Sequence, residues 1–153
     1  MVGGSKVSTK LEVLQALADQ VDLLVVGGGI ANTFLAAGGV DVGASLCEHD
    51  LVNTASNILK KVTVAIPTDV IVAKEISADA EAKVVAVADI KPDEMILDLG
   101  PATMKDIAKA LLAARTIIWN GPVGVFEYAP FASGSKVLAQ GFAVSEAFSI
   151  AGG

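Results

Sequence analysis

Two lysines and a set of glycines stand where chemistry is possible. The stretch VGGSKVSTK, residues 2–10, places Lys6 and Lys10 four apart at the entry to an amphipathic segment. The spacing of Thr9 and Glu12 predicts a capping box that starts a helix there, with Lys10 at its first position. A cation at a helix N-terminus is opposed by the macrodipole, so its presence asks for a reason. Two cations and free backbone N–H groups can converge on phosphates. The same pair can equally be two solvated surface lysines.

Glycines recur after apolar runs: Gly3-Gly4, Gly27-Gly28-Gly29, Gly100, Gly121 with Gly124, and Gly152-Gly153. One such cluster is ordinary turn chemistry, but recurrence lets backbone N–H groups approach a ligand from several sides. The standard nucleotide loops are absent. Asn32 stands where G-x-G-x-x-G needs its third glycine, and residues 3–8 do not fit G-x-x-x-x-G-K-[ST]. Asp98 and Glu127 fall just past apolar runs, where an acid can orient a ribose hydroxyl or a metal, or cap a helix. His49, the only histidine, lies between Glu48 and Asp50 and reads as an exposed loop residue. Cys47 has no second histidine to activate it, and no metal-ligand spacing appears, so a catalytic thiol and a resident metal centre are not expected.

The elements that must position these residues alternate. Leu23–Val26, Val62–Ile66, Met95–Leu97, Thr116–Trp119 and Phe148–Ile150 are short apolar runs closed by Gly or Pro, the pattern of buried strands, and the run Val70–Ala73 follows closely on the second. Val2-Gly3-Gly4 reads as the tail of another. Helical periodicity covers Leu11 to Ala18, Leu51 to Leu59, Met104 to Leu112 and residues 131–146, the last interrupted by Gly141. Residues 83–88 read as a short strand or a loop crossing. Apolar residues make up 53% of 153 and aromatics only 5%, so the core must be aliphatic, as suits helices on a buried parallel sheet. Together these predict one α/β domain, a three-layer α/β/α sandwich with a mostly parallel, Rossmann-like sheet. The net charge of −6 disfavours a nucleic-acid surface, and no apolar run is long enough for a membrane span.

The ordered set VGGSKVSTK, LLVVGGGIANTF, GASLCEHD, IPTDVIVAK, MILDLGP and TIIWNGPVGVFE resembles the phosphoglycerate kinase family, in a bacterial style, and specifically its carboxy-terminal, nucleotide-binding domain. The resemblance runs along essentially all 153 residues. It implies binding of ADP or ATP, with Mg²⁺ accompanying the nucleotide as substrate. The implied reaction is phosphoryl transfer between 1,3-bisphosphoglycerate and ADP in glycolysis, in the cytoplasm, by a monomer. It also implies roles. Lys6 would contact the transferring phosphoryl group, as the catalytic residue. Lys10 would hold the nucleotide phosphates, beside Gly4, Ser5 and Asn120. Gly28 and Gly29 would wall an adenine slot that Leu97 helps close. Pro122 and Val125 would pack on base and sugar, Glu127 would accept the ribose hydroxyls, and Gly152 and Gly153 would begin a further phosphate loop.

Against the family pattern the sequence reads as cut at both ends. The phosphoglycerate-binding domain and the acid that ligands Mg²⁺ would lie outside it. The expectation is therefore nucleotide binding without kinase activity. The alternative is a structural or self-associating piece that binds little or no nucleotide.

Overall fold

A computed structural model describes residues 1–152; the expectation for Gly153 lies outside the described residues. The helices are α1 (Leu11–Ala18), α2 (Gly28–Ala37), α3 (Val52–Lys61), α4 (Pro101–Ala113) and α5 (Ser133–Val144). The strands are β1 (Leu23–Val25), β2 (Thr63–Ala65), β3 (Asp69–Ala73), β4 (Lys83–Ala86), β5 (Met95–Leu99), β6 (Thr116–Asn120) and β7 (Phe148–Gly152).

β1 pairs with β2 and β6 with β7, both in parallel. Val2 forms parallel bridges to Val26 on one side and Asn120 on the other, which joins the two pairs. Backbone bonds continue through it: Val2 N to Val25 O at 2.8 Å and Gly3 N to Asn120 O at 2.8 Å. The spatial order is therefore β2, β1, the segment around Val2, β6, β7. Side chains alternate across this sheet as a period of two requires. Leu24 and Val26 join Val2, Leu14, Ile30 and Phe34 beneath α1, α2 and α3. Val25 and Ile117 join Met104, Ile107, Leu111 and Leu138 beneath α4 and α5. Helices on both faces of a parallel sheet give the three-layer α/β sandwich expected.

Four local features differ from the sequence reading. First, β3 pairs antiparallel with both β4 and β5, so a separate three-stranded antiparallel sheet flanks the parallel one. The three residues between β2 and β3 are too few for the crossover that parallel pairing needs. Second, residues 83–88 divide into β4 and a 3₁₀ turn at Val87–Asp89. Third, the capping box at Thr9 and Glu12 does not form. Lys10 itself is the N-cap of α1, its side chain makes no capping bond to the helix, and Thr9 Oγ1 turns back to Lys6 O at 2.8 Å. Fourth, α2 carries no amphipathic stripe, because Ile30 to Leu35 are all buried. A helix buried on every side, with Asn32 and Thr33 among its buried residues, shows little 3.6-residue contrast to detect.

The helices on the second face are anchored by acids from the antiparallel sheet. Asp69 on β3 accepts from Ala102 N at 2.9 Å, Thr103 N at 2.7 Å and Thr103 Oγ1 at 2.6 Å, and so caps α4. Asp98, buried on β5, accepts from Gly134 N at 2.7 Å and Ser133 Oγ at 3.1 Å, and so caps α5. Of the roles open to Asp98, this contact is the helix cap, although the helix is not the one that follows it. Burial pushes its carboxyl pKa up against the pull of these hydrogen bonds.

Asp69 moves the other way. Burial raises its pKa, but the bonds from Thr103 and Ala102 outweigh that and hold it below its ordinary 3.8. A carboxyl depressed in the folded state stabilises above its unfolded pKa, and loses that contribution as pH falls through the folded one. Asp69→Asn should therefore cost on the order of 1 kcal/mol at pH 7, and the gap to the parent should be smaller at about pH 2 than at pH 7. Urea unfolding at both pH values measures this. A gap that does not change with pH would show that the charge contributes nothing.

Candidate functional site: the carboxyl ends of the parallel strands

In open α/β sheets ligands gather at the carboxyl ends of the strands. Here that edge is built from the turns after Val2, β1 and β6 and from the end of β7. Gly28 and Gly121 have φ of +63° and +86°, so both turns use the left-handed region that favours glycine. The turn after β6 is tied to β7 by Gly121 N to Gly152 O at 3.2 Å.

Lys10 reaches into this edge. Its ammonium donates to Gly3 O at 2.8 Å, to Asn120 O at 3.3 Å and to Asn120 Oδ1. All three protons are thus directed at oxygens from two adjacent strand ends. Partial burial lowers its pKa. A cation in place of an ordinary cap is explained: Lys10 leaves the helix end and bridges the sheet. Lys6 differs. It is exposed, and its ammonium has no hydrogen-bond partner among the described residues. The structure brings Gly4, Ser5, Lys10, Gly28, Gly29, Asn120 and Gly152 to one edge, with Lys6 projecting beside them.

The glycines have close neighbours within the chain. A Cβ on Gly28 would lie 2.5 Å from Gly4 O, and one on Gly29 2.0 Å from Ser5 O. Packing of the lysine loop on α2 therefore already requires glycine at both positions, whatever ligand is near. Pro122 lies in the same layer, its carbonyl oxygen 1.9 Å from where a Cβ on Gly3 would sit.

The apolar loop after Trp119 divides its side chains. Val123 is buried in the core beneath α4 and α5. Val125 packs on a smaller cluster containing Leu97 and Phe131, and its N–H donates to Leu97 O at 2.9 Å. Phe126 remains 50% exposed. Glu127 follows in the turn closed by Tyr128 N to Val125 O, and it is exposed. Trp119 is partly buried against the core, stacks at a tilt on Phe142, and donates from Nε1 to Gly121 O at 2.7 Å. Trp119 is thus a core residue that braces the turn.

A family model described as Phosphoglycerate kinase matches residues 1–153. This chain belongs to the phosphoglycerate kinase family. Among solved structures, phosphoglycerate kinase from Coxiella burnetii is 50% identical and superposes with a TM-score of 0.96, covering 99% of this chain and 40% of its own. Phosphoglycerate kinase from Pyrococcus horikoshii OT3 is 29% identical with a TM-score of 0.82, again covering 99% of this chain and 40% of its own. The chain thus spans about 40% of the length of these phosphoglycerate kinases. No helix among the described residues is long and apolar enough to cross a membrane.

Within this phosphoglycerate kinase fold, sequence reasoning overlooked two residues near the glycine edge. Leu46 is 51% exposed, and its Cδ2 lies 3.3 Å from where a Cβ on Gly29 would stand. Its neighbour Ser45 accepts from Ile96 N at 2.8 Å, which ties this loop to β5. An exposed leucine between polar residues was the signal for it in GASLCEHD. Asn32, buried on α2, donates to Leu46 O at 3.1 Å and was read only as a failed glycine motif.

Proposed function

We propose that this chain is the adenine-nucleotide-binding part of a phosphoglycerate kinase. In this reading the phosphoryl group of 1,3-bisphosphoglycerate passes to a terminal oxygen of ADP, giving 3-phosphoglycerate and ATP in the glycolysis of the cytoplasm. The observation that carries it is the Lys10 ammonium, held by Gly3 and Asn120 at the carboxyl edge of a parallel sheet, where phosphates are expected to lie.

Lys10, Gly4, Ser5 and Asn120 take the nucleotide phosphates, and Lys6, exposed and unpaired among the described residues, meets the phosphoryl group in transit. Phosphoryl transfer depends on positioning and charge neutralisation more than on covalent participation, so two placed ammonium groups and backbone N–H donors are the relevant chemistry. Gly28 and Gly29 with Leu46 form one wall of the base slot, and Leu97 with Val125 the other. Pro122 borders the sugar and Glu127 accepts its hydroxyls. Gly152 and Gly153 are assigned to the nucleotide phosphates as well. Mg²⁺ enters with the nucleotide. The phosphoglycerate half of the reaction belongs to a second domain, so residues 1–153 alone do not turn over.

Calorimetry with ADP tests the binding. The expected result is a measurable affinity that Glu127→Ala weakens by about tenfold, with unfolding unchanged, because Glu127 is exposed and supplies one or two hydrogen bonds to a charged group. No heat with the parent chain would overturn the reading. A coupled assay that detects ATP formation from 1,3-bisphosphoglycerate would overturn the expected inactivity.

One observation favours a second reading, self-association. Phe148 and Ile150 on β7 are 69% and 51% exposed, on the same sheet face as exposed Ile118, and β7 is an edge strand. Bare apolar edge strands invite pairing with another chain. Size-exclusion chromatography that gives a monomer at all concentrations would remove it.

A further inference from the structure

The loop that carries Lys6 is exposed at Ser5, Lys6, Ser8 and Thr9. Its base is fixed by backbone: Ile30 N donates to Gly4 O at 3.2 Å, and Lys10 N to Val7 O at 2.9 Å. Its tip needs another hold, because an exposed loop left to itself samples many positions. A catalytic ammonium displaced by an ångström loses most of its value.

That hold comes from a residue 40 positions away. Glu48 accepts from Ser8 N through Oε2 at 2.9 Å and from Ser8 Oγ through Oε1 at 2.5 Å, a two-point grip on one residue of the loop. Among the described residues no other side chain from outside residues 3–10 bonds to the stretch Ser5–Thr9. Glu48 is itself secured. Its N–H donates to Thr33 Oγ1 at 3.2 Å, and Thr33 Oγ1 donates to Gly29 O at 3.2 Å. Gly29 in turn lies directly against the Ser5 carbonyl. The contacts close a ring that runs from the lysine loop to Glu48, through Thr33 to Gly29, and back to the loop.

We infer that Glu48 is a positioning residue that holds the Lys6 loop in register with the Gly28–Gly29 wall. Glu48 does not touch the ligand; it acts through Ser8. The proposal rests on the nucleotide reading for its consequence in binding, but the anchoring itself does not. Consistent with a carboxylate committed to these donors, the bonds from Ser8, the Val7 amide and the charge of Lys6 outweigh partial burial and hold its pKa below the usual range.

The test compares Glu48→Ala and Glu48→Gln with the parent, using as probes adenosine and ATP, whose terminal phosphoryl group is the one Lys6 is assigned to meet. Gln keeps the grip, since its carbonyl can accept from Ser8 N while its amide donates to Ser8 Oγ. For Glu48→Ala the expected result is about a tenfold loss of ATP affinity with adenosine binding unchanged within about twofold, and recovery of most of the loss in Glu48→Gln. A general disturbance of the fold would lower both ligands together, and that result would overturn the proposal, as would no loss at all. Amide hydrogen exchange gives a readout independent of nucleotide. Ser8 should exchange at least about tenfold faster in Glu48→Ala and at the parental rate in Glu48→Gln, while α3 and β6 are unaffected. Unchanged Ser8 exchange overturns the anchoring. If the parent binds neither ADP nor ATP, the nucleotide reading fails while the exchange result still decides the grip.

Discussion

Gly29→Ala should destabilise the protein by about 3 kcal/mol or more, with no ligand involved. Its new methyl carbon would lie 2.0 Å from the Ser5 carbonyl oxygen. That neighbour is backbone, so no rotamer change relieves the contact; the lysine loop or the start of α2 must move. Gly152→Ala is the control. A Cβ there meets nothing within 4 Å, so its stability should stay within about 0.5 kcal/mol of the parent. Urea unfolding of the two variants separates the reasons for glycine at this edge. If Gly29→Ala unfolds like the parent and only nucleotide binding suffers, glycine is there for the ligand. If stability falls sharply, chain packing already demands it, and loss of binding follows from a displaced Ser5-Lys6 segment.

Lys10→Met should lower ADP affinity on the order of 100-fold, the scale of a charged contact worth about 2–3 kcal/mol. Methionine matches the length of the stem but donates nothing. Gly3 O, Asn120 O and Asn120 Oδ1 would lose their shared donor, so a stability cost of about 1–3 kcal/mol should accompany the loss of binding. Adenosine, which has no phosphates, should bind the folded variant almost as well as the parent. Calorimetry with both ligands, read beside urea unfolding, distinguishes the two roles. Unchanged ADP affinity would remove Lys10 from the phosphate site. Unchanged stability would show that water replaces the ammonium at the strand ends without loss. Because all three Lys10 protons are already directed at protein oxygens, a phosphate must take one of them from Gly3 or Asn120. Lys10 is therefore expected to link nucleotide binding to the junction between the central segment and β6.

The sequence by itself determined the layered plan. Short apolar runs, most of them closed by Gly or Pro, located β1, β2, β3, β5, β6 and β7, and the 3.6-residue stripe located α1, α3, α4 and α5, because these signals are local and repeat within a few residues. It also placed Gly4, Gly28, Gly29 and Asn120 at the ends of apolar runs and Lys10 at a helix entry. Motifs such as WNGPVGVFE carried the family. What only the tertiary structure decided lies in contacts between distant positions. Lys10 and Asn120 are 110 residues apart, Asp98 and Gly134 are 36, and Glu48 and Ser8 are 40. No periodicity predicts that a lysine at a helix end will bridge two strands, or that an acid will cap the helix after next. The same limit hid α2, whose burial on every side erases the contrast that marks a helix, and the antiparallel pairing of β3, which depends on where the chain can turn. Propensity and pattern register a residue's near neighbours. The placement of charges at this edge is set by which strand ends the sheet order brings together.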